Sequence, residues 1–272
     1  MFHTLCLLAA AAAAATAAAA PGAACKPCTC GVARGARVVG GSAVSPGELP
    51  WLAALVRDGR VVCGATVLAR RHLITATHCV HGVEASRLAV LVGVYDVNQT
   101  QSQGLPVEHV TQHPDFNRYN YDYDVAVLRL QDPLPDALYR PACLPDDETT
   151  LSGANAIVSG WGNTAEKGFA SNIPMKADVQ IWSKEECSGA GYGRGKVTER
   201  MLCANAPDRD ACTGDSGGPL LLPQPYYTIV GVVSWGRGCA RQGYPGVYAR
   251  VDRFLPWLRL ALRHACTCAP PF

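Results

Sequence analysis

Three short runs hold residues of the types used in nucleophilic catalysis. Ser216 lies in GDSGGP, among glycines. His78 lies in ITATHCV, beside Cys79. Asp124 begins DVAVLRL. A serine hydroxyl alone is a weak nucleophile. It needs a base to take its proton, and an imidazole base needs a carboxylate to fix its tautomer and stabilise the imidazolium that forms. The three stand far apart in the order His, Asp, Ser, so the fold must bring them together. Two more carboxylates accompany the serine, Asp215 directly before it and Asp210 six residues upstream. Singly, each residue has an ordinary reading: His78 in a core, Asp124 as a strand cap, the other acids in turns.

The elements that must position them are short and β-rich. VVCGATVL, LAVLVGVY, DVAVLRL, NAIVSGW, YYTIVGVVSW and GVYARV are rich in Val, Ile and Tyr and separated by Gly, Pro and Asn. That pattern predicts all-β barrels or a sandwich. No long helices alternate with them, which excludes a parallel α/β sheet. One helix is expected, in FLPWLRLALRH, where Trp257, Leu258, Ala261 and Leu262 recur at helical spacing and pack the segment on the domain surface.

The 272 residues carry a formal charge of +2, which gives no electrostatic case for nucleic acid or a membrane surface. Hydrophobic residues make up 49%, enough for a buried core. The apolar stretch from Leu5 to about Ala20, followed by Pro-Gly and small residues, reads as a secretory signal over residues 1–24. It is short and weakly apolar for a membrane anchor, no later stretch approaches a spanning length, and the expected location is extracellular. Of thirteen cysteines, Cys6 leaves with the signal and the remaining twelve suit disulfides. CKPCTC also offers thiols at metal-ligand spacing, but the oxidising route favours bridges. RGAR, ending at Arg37, reads as an exposed, cleavable linker between a cysteine-rich leader, 25–37, and the main domain, 38–272, whose last residues, 264–272, form a cysteine-bearing tail.

VVGG, TATHC, DVAVLRL, GWGNT, GDSGGP and SWGRGC with YPGVY occur together in one order, and from Val38 to about Arg263 the chain resembles the chymotrypsin-fold, trypsin-like serine proteases. The resemblance implies two six-stranded antiparallel β-barrels with a C-terminal helix and an active site in the cleft between them. It implies His78, Asp124 and Ser216 as the catalytic triad. Gly214 and Ser216 would supply the oxyanion-hole N–H groups. Asp210 would sit at the base of the primary specificity pocket, with Ser234, Trp235, Gly236 and Gly246 as substrate-binding residues. Cleavage after Arg37 would free the Val38 ammonium to pair with Asp215 and order the oxyanion hole. The expected product is a secreted zymogen that, once cut, hydrolyses peptide bonds after Arg and Lys. The alternative is a homologue that has lost activity and serves as a binding module. Partners would be protein or peptide substrates, an activating trypsin-like protease, with self-activation as the alternative, and protein inhibitors.

Several positions depart from the family pattern. Ala211 follows Asp210 where Ser is frequent, so a lysine ammonium lacks a hydrogen-bond partner while arginine still forks onto Asp210, and arginine should be preferred. Thr213 stands where Gln is frequent at the pocket rim. The loop GVYDVNQTQSQGLPVEH lacks two calcium-binding acids, leaving Asp96, and Pro245 replaces a tyrosine tied to sodium activation. No cofactor or metal is expected. Asn98-Gln99-Thr100 is an N-glycosylation sequon. By resemblance Cys63 pairs with Cys79, Cys187 with Cys203, and Cys212 with Cys239. A further family bridge is replaced by Ala156 and Leu222. Cys143 matches the cysteine that holds a cleaved leader, which leaves two of Cys25, Cys28 and Cys30 to face Cys266 and Cys268. Local pairing within the leader is the alternative.

Overall fold

Aliphatic and β-branched side chains suit a pleated, half-buried surface, and the runs above become strands. The structure, a computed structural model, describes residues 25, 27–33, 42–100, 102–147, 149–163, 168–206, 214–239 and 241–271. Residues 1–24, Arg37, Val38, Asp210 and Cys212 lie outside the described residues, and so do the expectations placed on them.

After a two-residue strand β1 (Ser42–Ala43), the first barrel is built from β2 (Leu52–Arg57), β3 (Arg60–Ala69), β4 (His72–Thr75), β5 (Leu88–Val92), β6 (Leu105–Gln112) and β7 (Ala126–Leu130). They close in the order β2-β3-β4-β7-β6-β5, all antiparallel, which leaves no free edge. The second barrel uses β8 (Asn155–Gly160), β9 (Met175–Ile181), β10 (Met201–Asn205), β11 (Pro219–Leu222), β12 (Thr228–Trp235) and β13 (Gly246–Arg250). Their order is β9-β10-β13-β12-β11-β8, closed by pairing of β8 with β9, and β1 adds to β9 on the outside.

Leu55, Val67, Leu73, Val90 and Leu128 fill the first barrel, and their cluster continues through Trp161, Ile229 and Val232 of the second half. Val158, Val179, Ile181, Leu220 and Tyr248 form a separate second core. Ala156 belongs to that core and Leu222 packs against it, so the absent bridge is replaced by apolar packing. A buried ion pair, Glu48 with Lys176, links the segment before β2 to β9.

Among the described residues three short α-helices join or follow the strands: α1 (Thr77–Val80), α2 (Lys184–Ser188) and α3 (Leu255–Ala261). The last is shorter than its sequence run: a 3-10 turn, Val251–Phe254, takes the run's first residue, and after Ala261 residues 262–264 leave the helix in a turn. It buries Leu255 and Leu258 and exposes Leu260, a helix on the surface.

Both ends of the described chain meet on one side of the molecule. Cys25 is bonded to Cys266, Cys28 to Cys268 and Cys30 to Cys143. Thr29 bridges Ala269 in parallel fashion, with Cys30 N–H donating to Ala269 O at 2.9 Å. Gly31 continues the contact: its N–H donates to Pro141 O, and its carbonyl accepts from Tyr227 N–H.

Candidate active site

The turn after β4 carries His78. Thr77 Oγ1 donates to Val125 O at 2.7 Å, which pins this turn to the segment entering β7. Asp124 sits in that segment. Its Oδ1 accepts the His78 backbone N–H at 2.8 Å, and its Oδ2 lies 2.7 Å from His78 Nδ1. An ionised carboxylate only accepts, so Nδ1 carries the proton and the lone pair is on Nε2. A third donor comes from the other barrel: Ser234 Oγ, on β12, reaches Asp124 Oδ2 at 2.5 Å. The Asp124 side chain is fully buried, while 22% of the His78 side chain is exposed. Three donors answer the desolvation that would otherwise expel a buried charge. The Tyr121 ring meets the imidazole edge-on at 5.4 Å.

Glycines let the Ser216 loop approach this group. A Cβ on Gly217 would collide with Thr75 Oγ1 and the Gly64 carbonyl, and one on Gly64 would lie 2.7 Å from Gly218 Cα. The Gly64 N–H donates to Ser216 O at 2.7 Å, so β3 of the first barrel is hydrogen-bonded directly to the serine loop of the second. Gly214 has φ of +102°, a backbone region that side chains disfavour. Asp215 turns inward: its Oδ1 accepts Gly162 N–H at 2.8 Å, and Gly160 and Gly162 press against its carboxylate.

Ser234, Trp235, Gly236 and Gly246 come together through the β12–β13 pair, in which Trp235 opposes Val247. A Cβ on Gly236 would meet Gly246 Cα and Tyr192 Oη at 3.9 Å, an ordinary contact, so the described residues leave a small side chain's space at this strand end. The position of Asp210 relative to that space lies outside the described residues.

One cluster at the site is not marked by any sequence pattern. Asp122, flanked by Tyr121 and Tyr123 with φ of 58° and 57°, accepts Arg200 Nε at 2.9 Å and Nη2 at 2.6 Å, and Thr198 Oγ1 at 2.9 Å. Burial pushes its carboxyl up, but the Arg200 and Thr198 hydrogen bonds outweigh this and hold it below the usual carboxylate range. The Arg200 guanidinium also lies 4.3 Å from the Tyr123 ring centroid. This cross-barrel clamp stands two residues before Asp124. The only hint in sequence is the unusual run YNYDYD.

Other site residues are also accounted for. Cys63 is bonded to Cys79 and Cys187 to Cys203. Cys239 is disulfide-bonded. Cys63, His78 and Cys79 are grouped closely enough to suggest metal ligands. Their two sulfurs are joined to each other, so no thiolate is available to a metal. Asp96 Oδ1 accepts the Asn98 N–H at 2.9 Å and the Gln99 N–H at 3.3 Å, and Glu108 pairs with Arg71 and Arg129. Asn98 is exposed, with Nδ2 2.7 Å from Asn172 Oδ1.

The sequence model of the Trypsin family matches residues 38–258. The chain is 42% identical over 232 residues to human transmembrane protease serine 5, covering 82% of this chain and 51% of that protein. It is 39% identical over 235 residues to rat transmembrane protease serine 9, covering 84% of this chain and 22% of that protein. The chain thus spans about half the length of the first relative and less of the second. With two antiparallel barrels meeting at His78, Asp124 and the Ser216 loop, and a family match over most of its length, the chain belongs to the trypsin family of serine proteases.

Proposed function

We propose that the chain is a serine endopeptidase, secreted as a precursor, activated by a cut after Arg37, and selective for peptide bonds that follow arginine and, less well, lysine. The observation that carries this reading is the chain of hydrogen bonds from Ser234 through Asp124 to His78, which leaves Nε2 as the basic nitrogen. Ser216 Oγ attacks the scissile carbonyl and its proton passes to Nε2. Asp124 stabilises the imidazolium, and the N–H groups of Gly214 and Ser216 receive the oxyanion. Collapse passes the proton to the leaving amine and gives an acyl-enzyme. Water, activated by the same imidazole, hydrolyses it and frees Ser216.

Asp210 supplies the charge that pairs with the substrate's basic side chain. An apolar side chain there would leave that charge buried and unpaired. The cut after Arg37, made by a trypsin-like activator, frees the Val38 ammonium to pair with Asp215 beside Gly162, fixing Gly214. The enzyme acts on proteins and peptides, and protein inhibitors of the same shape as substrate would occupy the cleft. Export follows from the signal reading of residues 1–24. The two relatives are by name transmembrane proteases, whereas no helix among the described residues here is long and apolar enough to cross a membrane. The deciding experiment is titration of the cleaved protein with a phosphonylating reagent. Stoichiometric labelling at Ser216 is expected. A folded, cleaved protein that takes no label would instead be a binding module. Recovery of the chain in membranes rather than medium would overturn export alone.

A further inference from the structure

Beside Gly236, whose added Cβ would meet Tyr192 Oη at 3.9 Å, stands a box of three aromatic rings. Tyr192 meets Trp235 at 4.6 Å and Tyr244 at 5.4 Å, both edge to face, and its hydroxyl donates to Pro245 O at 2.5 Å. Two cations rim the box. Lys196 Nζ lies 5.9 Å from the Trp235 ring centroid and donates to Tyr119 O at 3.3 Å. The Arg237 guanidinium lies 4.8 Å from the Tyr244 ring centroid and donates to its hydroxyl at 3.1 Å. Neither cation forms an ion pair among the described residues, while Arg200, close by in sequence, is held by Asp122. The rings fix the two charged groups in place without neutralising them, which is the arrangement that favours a carboxylate from outside.

We infer that this rim selects substrates with aspartate or glutamate shortly before the cleaved basic residue. The inference rests on the protease reading above. With the cleaved residue's side chain in the space bordered by Gly236 and Gly246, the preceding residues run past Gly236 toward Trp235 and the two cations. The site is then dipolar along the substrate, negative at Asp210 and positive at the rim. A basic residue in those preceding positions meets like charge.

The chain's own linker makes this specific. Arg37 is preceded by Arg34, Gly35 and Ala36, with no acid among them. The activated enzyme therefore cuts its own precursor poorly, and activation falls to a different protease.

The test uses activated full-length enzyme, counted by active-site titration, with matched peptides ending in Arg and carrying Glu, Ala or Lys at each of the three preceding positions. At low ionic strength kcat/KM is expected to rise about fivefold from Ala to Glu at one or more positions and to fall for Lys, both effects shrinking in about 0.5 M salt. Lys196→Glu with Arg237→Glu should reverse the order of the Glu and Lys peptides. In a second arm the Ser216→Ala precursor is the substrate, and its Arg34→Glu version should be cut faster than the parent. Equal rates for Glu and Ala peptides, or an acid preference that survives the double variant, would overturn the inference. Failure of the titrant to label would instead strike the protease reading.

Discussion

In the proposed mechanism Ser216 makes the new bond, so its replacement is the sharpest probe of that chemistry. Ser216→Ala should lower kcat/KM by more than about a thousandfold, because only binding and the oxyanion donors remain. Its thermal unfolding should match the parent, since Ser216 is held to β3 through its main-chain carbonyl, which alanine retains. A variant with most of the activity would refute the mechanism. At Asp210, a competition between matched Arg and Lys peptides should favour Arg, because Ala211 offers no hydroxyl to an ammonium. Asp210→Ser should erase the advantage of basic over aromatic residues, and a parent enzyme that prefers aromatic residues would show the pocket to be misread. Residue types singled out the proposed triad, since few side chains serve as nucleophile, base and orienter, and the structure pairs two of its members, His78 and Asp124. The contact of Ser234 with Asp124 was not legible, because 110 residues separate them and nothing in either run names the other.

Strands and loops hold those residues in register across two barrels. The runs that foretold β3, β5, β7, β8, β12 and β13 are apolar nearly throughout. β6, reading LPVEHVTQ with Glu108 and His109 exposed, carries a weak signal, because its pairing with β5 and β7, not its composition, makes it a strand. The turn α1 was equally hidden, being too short for any periodicity. The Asp122 clamp belongs to this scale. Asp122→Asn should cost about 1–3 kcal/mol in denaturant unfolding, as Arg200 loses a charged partner in a half-buried setting. It should also lower kcat more than it raises KM, since the segment carrying Asp124 loses its anchor. Asp122 titrates below its unfolded value in the folded state, so its stabilising contribution is full above about pH 4 and is lost as pH falls through its folded pKa. The Asn variant should show a shallower loss of stability over that acid range. An unchanged acid profile would count against the clamp.

At the scale of the molecule, the proposed cut after Arg37 is what would set when the cleft works. Arg37→Gln should be exported like the parent and stay inactive, and full activity in that variant would sink the precursor reading. On a non-reducing gel the parent cut after Arg37 should run as one species, because three bridges hold the leader. Those bridges have a topological meaning. Cys25 and Cys266 are 241 positions apart, and Cys28 and Cys268 are 240, so the covalent path from leader to tail closes the polypeptide into a ring. A cut after Arg37 opens that ring without dividing it. What results is a circular permutant: the chain now begins at Val38, runs to its old end, and continues through sulfur into the segment that was once its start. The proposed activating cut would change the order of the chain and add the mass of one water, while every atom stays aboard.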